Sequence, residues 1–203
     1  GTTLSANFSR VTDIEKTQIN DTTPIGARGT YGYNTTFFSI GDELFYQDFN
    51  FEISKKWNKK LYTNLSYFNV FYNFNKLRGV AGHENVKANI AIADITYKIT
   101  GEIAIRTEFQ NMFTKQDDGN WGLGLVELTI PGWFFTIIDN WNYGNTVPEK
   151  RFHYYNIGFG HIHGSSRIQI SYGRTREGVM CVGGVCRNVP AANGISLSIS
   201  STF

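Results

Sequence analysis

The sequence contains no apolar run approaching the roughly 18 residues of a membrane-spanning helix. Its longest such stretch, Trp133 to Ile138, is already interrupted by Thr136. A helical membrane protein is therefore excluded. Charge of one sign is lacking too: 19 Lys and Arg against 17 Asp and Glu leave +2. That balance excludes the broad basic field with which a nucleic-acid binder displaces counterions, so no nucleic-acid partner is expected. Proline is scarce at 4 residues, charge is only 18%, and there are just 2 cysteines. A low-hydrophobicity, highly charged disordered chain is excluded by the same figures. No initiating Met and no charged-then-apolar leader open the sequence, so it is expected to start either after a cleaved signal or partway along a longer polypeptide.

What is present favours strands. There are 16 Phe, 11 Tyr and 4 Trp, with 21 Gly, and the dominant pattern is alternation at every second residue rather than the three-and-four spacing of a helix. From Gly101 to Phe113, Ile103, Ile105, Thr107, Phe109, Asn111 and Phe113 fall on one face, opposite Glu102, Ala104, Arg106, Glu108 and Gln110. Phe49, Phe51 and Ile53 likewise oppose Asp48, Asn50 and Glu52. Ile168 and Ile170 oppose Arg167 and Gln169, and Ile195, Leu197 and Ile199 oppose Ser196, Ser198 and Ser200. The pattern predicts about ten strands, at 1–10, 43–55, 60–74, 85–98, 101–113, 121–131, 133–143, 152–162, 166–174 and 194–203, in a single domain over 1–203.

Alternation alone does not say whether the apolar face meets lipid or a second sheet. The connections separate the two. Those at 56–59, 98–101, 131–132 and 164–165 are tight, and those at 11–42, 75–84, 114–120, 144–151 and 175–193 are longer. Such sorting is characteristic of an antiparallel, up-and-down transmembrane β-barrel in a bacterial outer membrane, with short periplasmic turns, longer outer loops and both termini periplasmic. Amphipathic aromatics near the strand ends, Trp57, Tyr62, Trp121, Trp133, Trp141 and Tyr143, are expected to form two girdles at the lipid interface. Glu102, Arg106, Glu108, Asp48, Glu52, Arg167 and Gln169 are expected to face the lumen. The terminal Phe203 resembles the signal read by the barrel-assembly machinery during insertion. Lipid and lipopolysaccharide, and other envelope proteins, are the remaining expected partners.

Five segments carry a family resemblance: DFNFEISKK at 48–56, AIADITYK at 91–98, TKQDDGNW at 114–121, HYYNI at 153–157 and SYGRTREGVMCVGGVCRNVPA at 171–191. Together the chain resembles an uncharacterised family of Bacteroidota outer-membrane proteins from about Phe45 onward. Members of that family are longer, which leaves two architectures open: the ten strands close by themselves around a narrow bore, or they are the last ten of a wider barrel. The resemblance supplies a location and an architecture but no activity.

Candidate chemistry is sparse. Gly183-Gly184 permits a two-residue hairpin turn, which places Cys181 opposite Cys186 with Cα atoms about 4.5 Å apart and predicts a disulfide. A structural staple is favoured there over a redox pair, because little besides Arg176 and Arg187 would lower a thiol pKa. The segment from Arg174 to Asn193 is open to folding inward as a plug, folding outward as a docking surface, or remaining a solvated loop. His161 and His163 share a strand face, yet two imidazoles without a further ligand in register are weak evidence for metal; His83-Glu84 reads the same way. Asp117, Asp118 and Asp139 lie near the outer rim, with His83 or His153 as their only candidate partners for acid-base work. Gly122-Leu-Gly124 and Gly158-Phe-Gly160 resemble fragments of nucleotide loops but sit in alternating strands, where glycine makes room or permits bending. No enzymatic activity, metal or cofactor is expected. The function expected is a structural or docking subunit of a cell-envelope complex, with a pore or transport component as the alternative.

Overall fold

Period-two patterning becomes strands in the computed structural model, which describes residues 1–13, 41, 43–79, 81–182 and 185–201. In chain order the elements are β1 (Thr2–Thr12), β2 (Leu44–Lys56), β3 (Leu61–Tyr72), α1 (Phe74–Arg78), β4 (Val86–Lys98), β5 (Ala104–Thr114), β6 (Trp121–Ile130), β7 (Trp133–Trp141), β8 (His153–His163), β9 (Ser166–Thr175), β10 (Gly178–Val182), β11 (Val185–Val189) and β12 (Ala192–Ser200). Ten of these strands form one antiparallel sheet in which each pairs with its sequence neighbour from β1 to β9, and β12 joins β9. The hairpin of β10 and β11 is a separate two-stranded sheet. No helix among the described residues is long and apolar enough to cross a membrane.

The sheet is not closed, which departs from the barrel expected from the sequence. Among the described residues β1 and β12 each have one neighbour, and strand pairing stops at their outer edges.

Register determines what each face carries. The cross-strand row Ile105, Leu128, Phe135, Phe159, Ile170, Leu197 runs from β5 to β12 on one face. One residue along, Arg106, Glu127, Thr136, Gly158, Ser171 and Ser196 form the matching row on the other. The apolar row is exposed from β7 to β12. The polar side of the sheet carries the burial instead, at Asp48, Glu127, Thr136, Asn156, Gln169 and Ser171, with Leu125, Phe134 and Ile138 among them. Burial of one face along strands whose other face is open means that the sheet curls around its polar side.

The connections sort by length as expected: 57–60, 99–103, 131–132 and 164–165 at one end, and 13–43, 73–85, 115–120, 142–152 and 176–191 at the other. The start of β1 and the end of β12 both lie at the short-turn end, where Thr2 pairs with Lys55 and Ser200 with Arg167. The connections at 73–85, 115–120 and 142–152 are built rather than loose. Asn73 caps α1 by accepting from Lys76 N at 3.2 Å, and the helix ends at Gly79 with φ 67°. Gly144 N donates to Asn120 O at 3.0 Å, zipping 115–120 to 142–152. There Gly119, at φ 77°, faces the Gly144 carbonyl so closely that a Cβ has no room.

Candidate functional site

The enclosed polar face is organised around cations. Arg106 on β5 donates to Asp94 on β4 at 2.6 Å and to Glu108 two residues along its own strand, whose other oxygen accepts from Gln110. Glu127 is its cross-strand partner. Alternation projects all of these side chains to one side, so opposite charges interleave and neutralise one another. Further round, Asn50 donates to Asp48 at 2.9 Å and Ser54 to Glu52 at 3.2 Å. Arg167 on β9 donates to Gln169 at 3.1 Å and lies 4.3 Å from the centre of the Phe134 ring. Phe134, 1% exposed, is accommodated because Gly160 beneath it has no side chain.

The β10–β11 hairpin lies against this face. Val182 is 1% exposed and packs with Leu125 and Ile138, flanked by Leu123 and Met180. Arg167 donates to the Val182 carbonyl at 2.8 Å, and the Thr175 hydroxyl to that of Pro190 at 3.0 Å. Cys181 and Cys186 form the expected disulfide, with Cα atoms 4.0 Å apart, and the pairs Val182–Val185 and Cys181–Cys186 are in the expected register. Gly183 and Gly184, the expected turn residues, lie outside the described residues. Of the three courses open to this segment, it takes the inward one. At the long-loop end, Arg174 stacks over Phe152 and Tyr154, and Arg176 over Trp121. A cavity of about 240 Å³ remains between hairpin and sheet.

Most residues expected in the lumen occupy this enclosed side: Asp48, Glu52, Arg106, Glu108, Arg167 and Gln169. Glu102 does not. It belongs to the exposed 99–103 turn, where Thr100 Oγ1 accepts from its backbone N–H, because β5 begins at Ala104 rather than at 101. Two of the six girdle aromatics also depart. Trp121 is 7% exposed, on the enclosed side beside Tyr154, and Tyr62 pairs with Thr96 on the polar register. Trp57 and Trp133 lie at the short-turn end, with Trp57 donating to Thr63 at 2.9 Å. Trp141 and Tyr143 lie at the opposite end, where the Tyr143 hydroxyl donates to Asn111 at 2.7 Å. Phe203 lies outside the described residues. Sequence reasoning overlooked Asp94, Glu127 and the stacking of Arg174 and Arg176. The aromatics near these arginines were visible, but contact between distant strand ends was not.

On the apolar face, His153 Nδ1 lies 2.7 Å from Asp139 Oδ2, and its ring stacks on Trp141. A carboxylate that orients an imidazole is half of an acid-base device. No hydroxyl or thiol is hydrogen-bonded to His153 among the described residues. Asp118 accepts from Asn145, away from this pair, and His83 stacks on Phe74. His161 and His163 do share a face, with ring centres 6.4 Å apart, and His161 packs on Trp133. Among the described residues no three His, Cys, Asp or Glu side chains converge as a metal site would require.

Comparison with known proteins yields a family without an activity: a family model described only as a family of unknown function, DUF6029, matches residues 1–203. No curated protein and no solved structure matches the chain.

Proposed function

We propose, for a chain that belongs to this family of unknown function, that it is an integral β-barrel protein of a bacterial outer membrane, non-enzymatic, serving as a structural or docking subunit of a cell-envelope complex. The observation that carries this is the inversion of polarity. In a water-soluble sheet the solvated face is polar and the covered one apolar. Here Ile195, Leu197 and Ile199 are 75%, 64% and 67% exposed, whereas Thr136 and Gln169 are 1% and 2% exposed. Hydrocarbon around the sheet removes the cost of the first group, and an enclosed polar interior accommodates the second. The apolar face also carries an open depression of about 620 Å³, lined by Val126, Phe135, Ile137, Ile157, Phe159 and Tyr172, of a kind that acyl chains fill.

This reading requires the free edges to pair, since an unpaired strand edge cannot face lipid. β1 and β12 run antiparallel to each other, as the ends of a ten-stranded meander must. β12 carries no charge and no proline, and β1 has Arg10 alone, so neither has the guards of a solvated edge. Both termini at the short-turn end correspond to a periplasmic location, with lipopolysaccharide and envelope partners meeting the longer loops and the assembly machinery acting from below. The Bacteroidota likeness of the five segments fits the same setting. A docking role is favoured over transport because the hairpin occupies the enclosed side. The alternative, a pore or transport component, draws on the mixed charge of Arg106, Glu108, Asp48 and Glu52, and it fails if the purified protein gives no conductance in planar bilayers.

The principal test is flotation. Purified chain, refolded with phosphatidylcholine vesicles and washed in alkaline carbonate, is expected to rise with the lipid. A monodisperse protein left in the aqueous fraction would sink the membrane reading.

A further inference from the structure

The cavity beneath the β10–β11 hairpin brings an apolar patch and two arginines together. Leu123, Leu125 and Ile138 form an apolar patch on the sheet side, next to Glu108, Gln110 and Asn140, and Met180 lines the cavity from the hairpin. Arg174 and Arg176 line the same cavity from the segment that enters the hairpin. Their guanidinium groups are held in place by rings: Arg174 lies 4.3 Å from the centre of Phe152 and 4.8 Å from that of Tyr154, and Arg176 lies 4.2 Å from that of Trp121. Trp121 and Tyr154 themselves touch, with centres 5.8 Å apart, so the two cations stand on one continuous aromatic platform.

A guanidinium stacked on a ring uses its flat face there and keeps its N–H edge free for an acceptor in plane. Neither arginine forms an ion pair among the described residues. Of the carboxylates at the cavity, Glu108 is engaged by Arg106 and Gln110, while Glu177 is exposed at the outer lip. Two cations without an ion-pair partner among the described residues thus share a cavity with an apolar patch, and the chemistry that satisfies both is one negative head on a short aliphatic tail.

We infer that this cavity binds an anionic amphiphile, with the head held by Arg174 and Arg176 and the tail laid on Leu123, Leu125 and Ile138 under Met180. The disulfide between Cys181 and Cys186 takes a part in this, because it staples the hairpin that supplies the cavity's upper wall. The inference goes beyond the envelope reading, since the cavity lies on the enclosed side and its occupancy can be measured whether or not the chain inserts in lipid.

The test is calorimetric titration of the full chain, in water or a neutral maltoside, with hexanoate, acetate, hexanol and hexylamine. Hexanoate is expected to bind saturably, with acetate, hexanol and hexylamine each weaker by about tenfold or more. R174Q/R176Q is expected to lose hexanoate binding by a similar factor while keeping the far-ultraviolet spectrum of the parent. Reduction of the disulfide is expected to weaken binding as well. Should the double variant fail to fold, the unaltered chain decides: hexanoate, but not hexylamine, protects Arg174 and Arg176 from phenylglyoxal, read by mass spectrometry of peptides. Equal binding of hexylamine and hexanoate, unchanged affinity in the folded double variant, absence of saturable hexanoate binding, or no protection of either arginine would each overturn the inference.

Discussion

Phe134 and Gly160 show how closely the enclosed face is fitted. The ring occupies the space that a side chain at Gly160 would take, and Arg167 then lies upon the ring. Gly160→Val is expected to destabilise the protein by about 1–3 kcal/mol, the usual cost of overpacking, read as a lower denaturant midpoint. Gly124 is the control. It stands on the apolar face with no atom within 4 Å of where a Cβ would stand, and Gly124→Ala is expected to change stability by less than about 0.5 kcal/mol. Equal losses at the two positions would contradict the assignment of an enclosed and an open face. The two glycine pairs look alike in sequence, as G-x-G within alternating strands; register alone crowds Gly158 and Gly160 and leaves Gly124 bare.

The hairpin is the element whose destination the sequence left open. Its staple follows from Gly183-Gly184 between two equidistant cysteines, because local turn geometry suffices. Its inward course depends on Val182 meeting Leu125 and Ile138, which lie more than forty residues away in the chain, and no local pattern reports that contact. Strand positions were legible for the complementary reason: each strand pairs with its neighbour, so alternation and turn residues describe the whole sheet. Errors fell at strand ends. Glu102, Tyr62 and Trp121 sit where a shift of one residue moves a side chain to the other face or off the strand altogether. C181S/C186S is expected to lower the local stability of the hairpin by about 2 kcal/mol, the loop-closure entropy of so short a ring. Hydrogen exchange of 178–189 would then accelerate while β3 and β4 stay unchanged; uniform acceleration would mean instead that the bridge supports the whole fold.

For the whole molecule, the decisive property is which face meets the surroundings. Ile157, midway along β8 and 57% exposed, is expected to tolerate arginine poorly if lipid surrounds it: Ile157→Arg should cost about 2–4 kcal/mol and block vesicle insertion. Unimpaired insertion would place that side chain elsewhere. Closure can be read directly. Ser5→Cys on β1, combined in turn with Ser196→Cys, Ser198→Cys or Ser200→Cys on β12, is expected to give an intramolecular bridge in vesicles, whereas bridges only between molecules would mean that the edges join separate chains. The sheet order also has a consequence in time. Since β1 to β9 add to one another in sequence, the first nine strands can assemble progressively as each is completed, at small cost in loop closure. β12 differs, because its pairing with β9 spans the whole β10–β11 hairpin, so a docked hairpin brings the two strands together at less cost than a loose loop would. A hairpin that stayed off the sheet would leave β12 to find β9 unaided, and the margin it forms would be the slowest of the ten to join.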